Sequence, residues 1–268
     1  MPLDLQNLLP HLPVWLLVLF RLTGLFVIAP LFSSLNIPGR VKIVWALTLS
    51  FCIYPTLLAQ PQTRAMLQPM LEGRISLLML PAAVALELLI GVILGFGASL
   101  PLAGMQVAGQ IVDQQVGTGL AGILNPDMGD EQSGVFSQFY FLLALALLLI
   151  LGGHRVILSS LLDSYAQVPL AGFRPDARLA ELLVGLLTSM FELALRISAP
   201  LLCLVFLETV AVGFIARTMP QLNLMSVGYP LRIIVGIGML MASLSSNALV
   251  AVHYLQQSLR AVAAYLGA

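Results

Sequence analysis

LLIGVILGFGASLPLAGMQVAGQIV, the stretch from Leu88 to Val112, contains no Asp, Glu, Lys or Arg. A charge-free run of this length is enough to cross the hydrocarbon core of a bilayer, which takes roughly 20 residues of helix. Similar runs recur at Leu22 to Gly39, Ile43 to Thr63 and Ile233 to Ser258. Across the 268 residues 59% are hydrophobic and 9% charged, against about 25% charged in an ordinary soluble domain, so the chain lacks the material for a solvated surface. Lipid is the solvent this composition fits. In lipid every backbone amide must be satisfied internally, and the short alternating segments of a membrane barrel are missing, which leaves helices. The formal net charge is zero and no basic run or basic aromatic patch occurs, so no nucleic-acid partner is expected.

The expected class is therefore all-α, a polytopic integral membrane protein. Helices are expected at Leu9 to Leu31, Val41 to Ala59, Ser76 to Leu100 and Val135 to Leu151. After the linker PLAGFRPDAR, with Pro169, Gly172 and Pro175, the nearly continuous apolar stretch Leu179 to Arg217 would extend roughly 58 Å as one helix, with Pro200 as a kink point. A turn, TMPQLNLMSVGYP, leads to a last helix at Leu231 to Leu266 and makes a long hairpin. The N-terminus has no basic residue ahead of its apolar stretch, so it does not read as a removable signal. Cys52 and Cys203, each in a different apolar stretch, read as buried free thiols. Lys and Arg occur in almost every loop, so charge does not orient the chain.

Few residues invite chemistry. His11, His154 and His253 lie in separate segments without metal-ligand spacing, and no metal or cofactor is expected. GTGLAG, with Gly117, Gly119 and Gly122, fits GxGxxG but lacks the βαβ context a dinucleotide cradle needs. Ser159, Ser160 and His154 form no nucleophile motif, so no enzyme is expected. Arg21, Glu87, Glu192, Arg196 and Glu208 fall inside apolar helices, where each would cost about 2.5–3.5 kcal/mol at the centre of a lipid-facing helix. They should face protein or water, with Arg21 and Glu87 a candidate pair. Glu192 and Arg196, at i and i+4, form a second one, read as structural in preference to a proton relay. Gly91 and Gly95 of GVILG permit close helix contact. The polar stretch from Ala108 to Ser133 reads either as a connecting loop or as the lining of a cavity.

Several strings resemble the FliR family of flagellar and type III secretion export proteins. They are RLTGLFVIAPLFSSLNIPGRVK, ELLIGVILGF, GGHRVILSSLLDSY and RTMPQLNLMSVGYPLRIIVGI, in that order and spread over nearly the whole chain. The resemblance implies four FliP-like spans in residues 1–176 and a FliQ-like helical hairpin in 177–268. It implies an inner-membrane, channel-forming subunit at a flagellar basal body or secretion-system base. The implied partners are FliP-like, FliQ-like, FlhB-like and FlhA-like proteins, exported polypeptides and the bilayer. It also implies a pore plug at 108–126, carried by Gly109, Gln110, Gln114, Gln115, Gly117, Gly119, Gly122, Asn125 and Pro126. The turn around Pro220, Gln221, Gly228 and Pro230 would lie near the cytoplasmic entrance. The competing expectation is a small-solute or ion transporter, disfavoured because no inverted repeat with two broken helices is visible.

Overall fold

The computed structural model describes residues 11–30, 38–59, 80–117, 134–218 and 224–266. Among them every regular element is a helix: α1 (His11–Ile28), α2 (Gly39–Ala59), α3 (Leu80–Val116), α4 (Val135–Ile150), α5 (Gly153–Gln167), α6 (Ala177–Thr218) and α7 (Leu224–Leu266). Five of these, α1, α2, α3, α6 and α7, are long and apolar enough to cross a membrane, and α4 with α5 would make six if that bent pair counts as one span. The chain is an integral membrane protein by this measure. The 37, 42 and 43 residues of α3, α6 and α7 correspond to roughly 56, 63 and 65 Å. Each is about twice the ~30 Å hydrocarbon thickness, so an upright helix would emerge from it.

Three local expectations are corrected. The third helix does not stop at Leu100 but continues through Pro101 to Val116. Proline removes one helical hydrogen bond, yet Leu102, Met105, Ala108, Val112 and Val116 are all buried, a spacing that keeps one apolar face against the core on the far side of the proline. Ala108 to Val116 is therefore helix, not loop. The last helix likewise begins at Leu224, so Gly228 and Pro230 lie within it rather than in a turn. Pro220 and Gln221 fall outside the described residues. Cys52 and Cys203 are free but exposed on the surface of the chain, because an apolar stretch in lipid need not be buried in protein.

A helix that the expected elements did not include, α5, follows α4 after a 66° bend. The bend turns on Gly152, whose φ of 68° and ψ of 25° lie in the left-handed region that glycine tolerates. Its carbonyl accepts from the Arg155 and Val156 amides at 2.8 and 3.3 Å, which starts the new helix. Ile157, Leu161, Ser164 and Tyr165 form its buried stripe.

Two compact units emerge. One comprises residues 1–99, 152–186 and 257–268 and the other 100–151 and 187–256. In the first, Gly24 and Gly91 let α1 and α3 meet backbone to backbone: a Cβ on Gly91 would lie 2.0 Å from the Arg21 carbonyl oxygen, and one on Gly24 2.3 Å from that of Leu88. In the second, Val112, Val116, Phe136, Leu201 and Val205 form an apolar cluster against which Ile233, Met239 and Leu240 pack.

Candidate functional site

The close crossing of α1 and α3 brings Arg21 and Glu87 together in the first unit. Both are fully buried, and Arg21 Nε donates to Glu87 Oε2 at 2.5 Å. Arg21 Nη1 donates to Ser164 Oγ at 3.1 Å and Nη2 to the Val168 carbonyl at 3.2 Å. The guanidinium carbon lies 4.4 Å from the centre of the Tyr165 ring, within cation–π range, and the Tyr165 hydroxyl donates to the Val18 carbonyl at 3.2 Å. The other carboxylate oxygen, Glu87 Oε1, accepts from the Ala171 amide at 2.8 Å. Ala171 has a φ of 60°, a left-handed conformation that costs a non-glycine residue roughly 1–2 kcal/mol. One ion pair thus joins α1, α3, the end of α5 and the strained turn after it. Buried charges are tolerable only when paired and hydrogen-bonded, and this pair is both.

In the second unit the C-terminal end of α3 meets the start of α4. Asp113, 3% exposed, accepts from the Phe136 amide at 3.1 Å through Oδ1 and from the Ser137 amide at 2.8 Å through Oδ2. It caps a helix from 23 and 24 residues away, satisfying two amides that a helix start leaves free and placing a carboxylate at the positive end of its dipole. The fit requires glycine at Gly134, where a Cβ would lie 2.0 Å from Asp113 Cγ, and at Gly109, where it would lie 2.3 Å from Ser137 Cα. The polar segment thus leaves and re-enters the described structure at one carboxylate-bridged junction.

The residues expected in the pore plug fall on both sides of this boundary. Gly109 is packed inside α3, while Gln110, Gln114 and Gln115 are exposed on it. Gly117 ends the helix with a φ of 90°, its amide donating to the Asp113 carbonyl at 3.0 Å. Gly119, Gly122, Asn125 and Pro126 lie outside the described residues.

The remaining intramembrane charges belong to α6, also in the second unit. Glu192 and Arg196 are both exposed, and the Tyr254 hydroxyl of α7 bonds to each of them. Glu208 pairs with Arg232 of α7 at 3.0 Å, and Arg232 also donates to Thr209 Oγ1 at 2.9 Å; the second Glu208 oxygen is buried without a hydrogen bond. Among the described residues no group of three metal-ligating side chains comes together. Sequence reasoning missed Ser164, Tyr165, Ala171, Tyr254 and the cap made by Asp113. Each acts across long sequence separations and carries no local spacing signal.

A family model described as bacterial export proteins, family 1, matches residues 12–258. The chain is 30% identical over 244 residues to the flagellar biosynthetic protein FliR of Bacillus subtilis, covering 90% of each chain. It is 31% identical over 226 residues to the protein of the same name from Escherichia coli, covering 84% of this chain and 81% of that one. It is also 30% identical over 224 residues to the Yop proteins translocation protein T of Yersinia pestis, covering 81% of this chain and 80% of that one.

Proposed function

The chain belongs to the bacterial export proteins, family 1, and from that membership we propose that it is a channel-forming, non-catalytic subunit of a protein export gate in the bacterial inner membrane. It is a membrane component of the flagellar or type III export apparatus, a structural family and not an enzyme family. The finer reading is that one copy closes a ring with FliP-like and FliQ-like subunits beside FlhB-like and FlhA-like proteins, residues 1–176 taking the FliP-like part and 177–268 the FliQ-like hairpin. Unfolded export substrates pass through that ring.

The observation that carries the reading is the likeness to FliR and to translocation protein T along more than four fifths of the chain. Gating is assigned to the segment of the plug beyond Val116, rooted at the Asp113 junction. Two features support this assignment. The junction is held by a buried carboxylate cap, and the exposed Gln110, Gln114 and Gln115 leave α3 a polar surface beside it. Translocation asks of such a subunit only a path that opens for a chain and otherwise excludes ions.

Removing this chain from the bacterium that makes it tests the proposal. Flagellar or effector proteins should stay in the cell, the ordinary export of periplasmic proteins should continue, and a plasmid copy should restore the lost export. Undiminished release of flagellar and effector proteins from the deletion strain would contradict the assignment.

A further inference from the structure

Along the seam of α1 and α2 in the first unit runs an open apolar groove of about 470 Å³. Phe26 and Ala46, both buried, form its floor, and the exposed Val27 and Ile43 form its rim. It runs from Val27 and Gly39 to Leu19 and Leu47, eight residues along each helix, or roughly 12 Å at 1.5 Å per residue. Among the described residues the charge of the lining lies at one end. Lys42 lines the groove there, with Arg40 exposed two positions before it. Among the described residues the one other polar side chain in the lining, that of Thr23, already donates to the Leu19 carbonyl at 2.7 Å.

Neither α1 nor α2 contains an acidic residue. Among the described residues no carboxylate meets Lys42 or Arg40, so an anion for this end must come from outside the helix pair. A slot that is cationic at one end and apolar along the rest matches an anionic head and a hydrocarbon tail. Lysine is a good phosphate partner as a point charge, and near a helix end it can reach the interface along its own apolar stem.

We propose that this groove is a binding site for one phospholipid, the acyl chain lying between Leu19 and Leu47 at its deep end and the phosphate meeting Lys42. The inference needs only that the chain is embedded in a membrane and is independent of the gate assignment.

The full-length protein, with any subunits that co-purify with it from the native membrane in mild detergent, is mixed with phosphatidylglycerol or with a diacylglycerol of the same acyl chains, and lipid retained per copy of the chain is counted by native mass spectrometry. The parent should retain one phosphatidylglycerol and much less diacylglycerol. Lys42→Gln should retain phosphatidylglycerol about fivefold more weakly, the factor carried by about 1 kcal/mol of attraction per basic residue at an anionic membrane surface. Gly39→Trp, at a position where a Cβ meets no atom within 4 Å, should weaken retention of both lipids, with a parent-like thermal midpoint showing that the fold is kept. A photo-crosslinking residue at position 43 in intact membranes should capture lipid. Equal retention of the two lipids, or no change in Lys42→Gln, would overturn the site, as would a crosslink to another protein subunit or a second copy, which would make the face a protein interface.

Discussion

Arg21 with Glu87, and Glu192 with Arg196, lie within apolar helices and are housed in opposite ways. Arg21 and Glu87 are fully buried and spend their hydrogen bonds on Ser164, Val168 and Ala171 of the same chain. Glu192 and Arg196 are exposed and share the hydroxyl of Tyr254. An exposed charge midway along an apolar helix is costly in lipid, so the second pair requires water or another protein against it. The first pair is satisfied within the chain, whereas the second leaves its charges to be covered by water or by another protein. That contrast is what a subunit of a membrane assembly should show, and mutations can probe each side of it.

The largest effect is expected at the buried pair. Glu87→Ala leaves the Arg21 charge buried and uncompensated and releases the Ala171 amide, a loss of about 3–5 kcal/mol. Glu87→Gln keeps an acceptor oxygen and should lose less, about 1–3 kcal/mol. Yield of folded protein and the thermal midpoint in detergent give the comparison. Parent-like values for both variants would remove the pair from the architecture.

A middle-sized effect is expected at the Asp113 junction. Asp113→Ala removes a cap worth about 0.5–2 kcal/mol, and Gly134→Ala attacks the same contact from the opposite side. Both should assemble in reduced amount and admit small dyes through the inner membrane. Deleting Gly117 to Gly122 should leave assembly largely intact, because α3 and α4 make the packing contacts, yet it should give the strongest leak. Dye uptake in growing cells measures this, and an assembled deletion variant as tight as the parent would return the segment to an ordinary connection.

The smallest effect on the chain itself is expected at the exposed pair. Glu192→Gln and Arg196→Gln should change the stability of the purified chain by about 0.5 kcal/mol or less. Their consequence should appear in the yield of complexes with co-expressed partners. If yields remain at the parent level, water rather than protein covers this face.

The sequence made the helices legible because lipid demands long uncharged runs, and the runs around Leu88 and Ile233 leave little alternative. In the structure Arg21 and Glu87 lie within α1 and α3, and Gly91 of GVILG lies at the close contact between them. The sequence misjudged the ends of α3 and α7, because Pro101 and Pro230 are tolerated within helices that the stop signal of proline would have ended. It could not show that Asp113 caps α4 from 23 residues away, nor that a 66° bend at Gly152 makes α5 a separate helix. Both depend on tertiary approach, which periodicity does not encode. Composition suggested a loop from Ala108 onward, but the apolar face from Leu102 to Val116 keeps Ala108 to Val116 helical.

On the proposed function the chain is completed by partners. The most direct measurement is native mass spectrometry of the full-length protein expressed alone and together with FliP-like and FliQ-like subunits, with limited proteolysis of the same samples. The chain alone should give a heterogeneous, protease-sensitive preparation, and with the partners present a single defined complex containing one copy of it. A monodisperse, protease-resistant monomer that ignores those partners would contradict it.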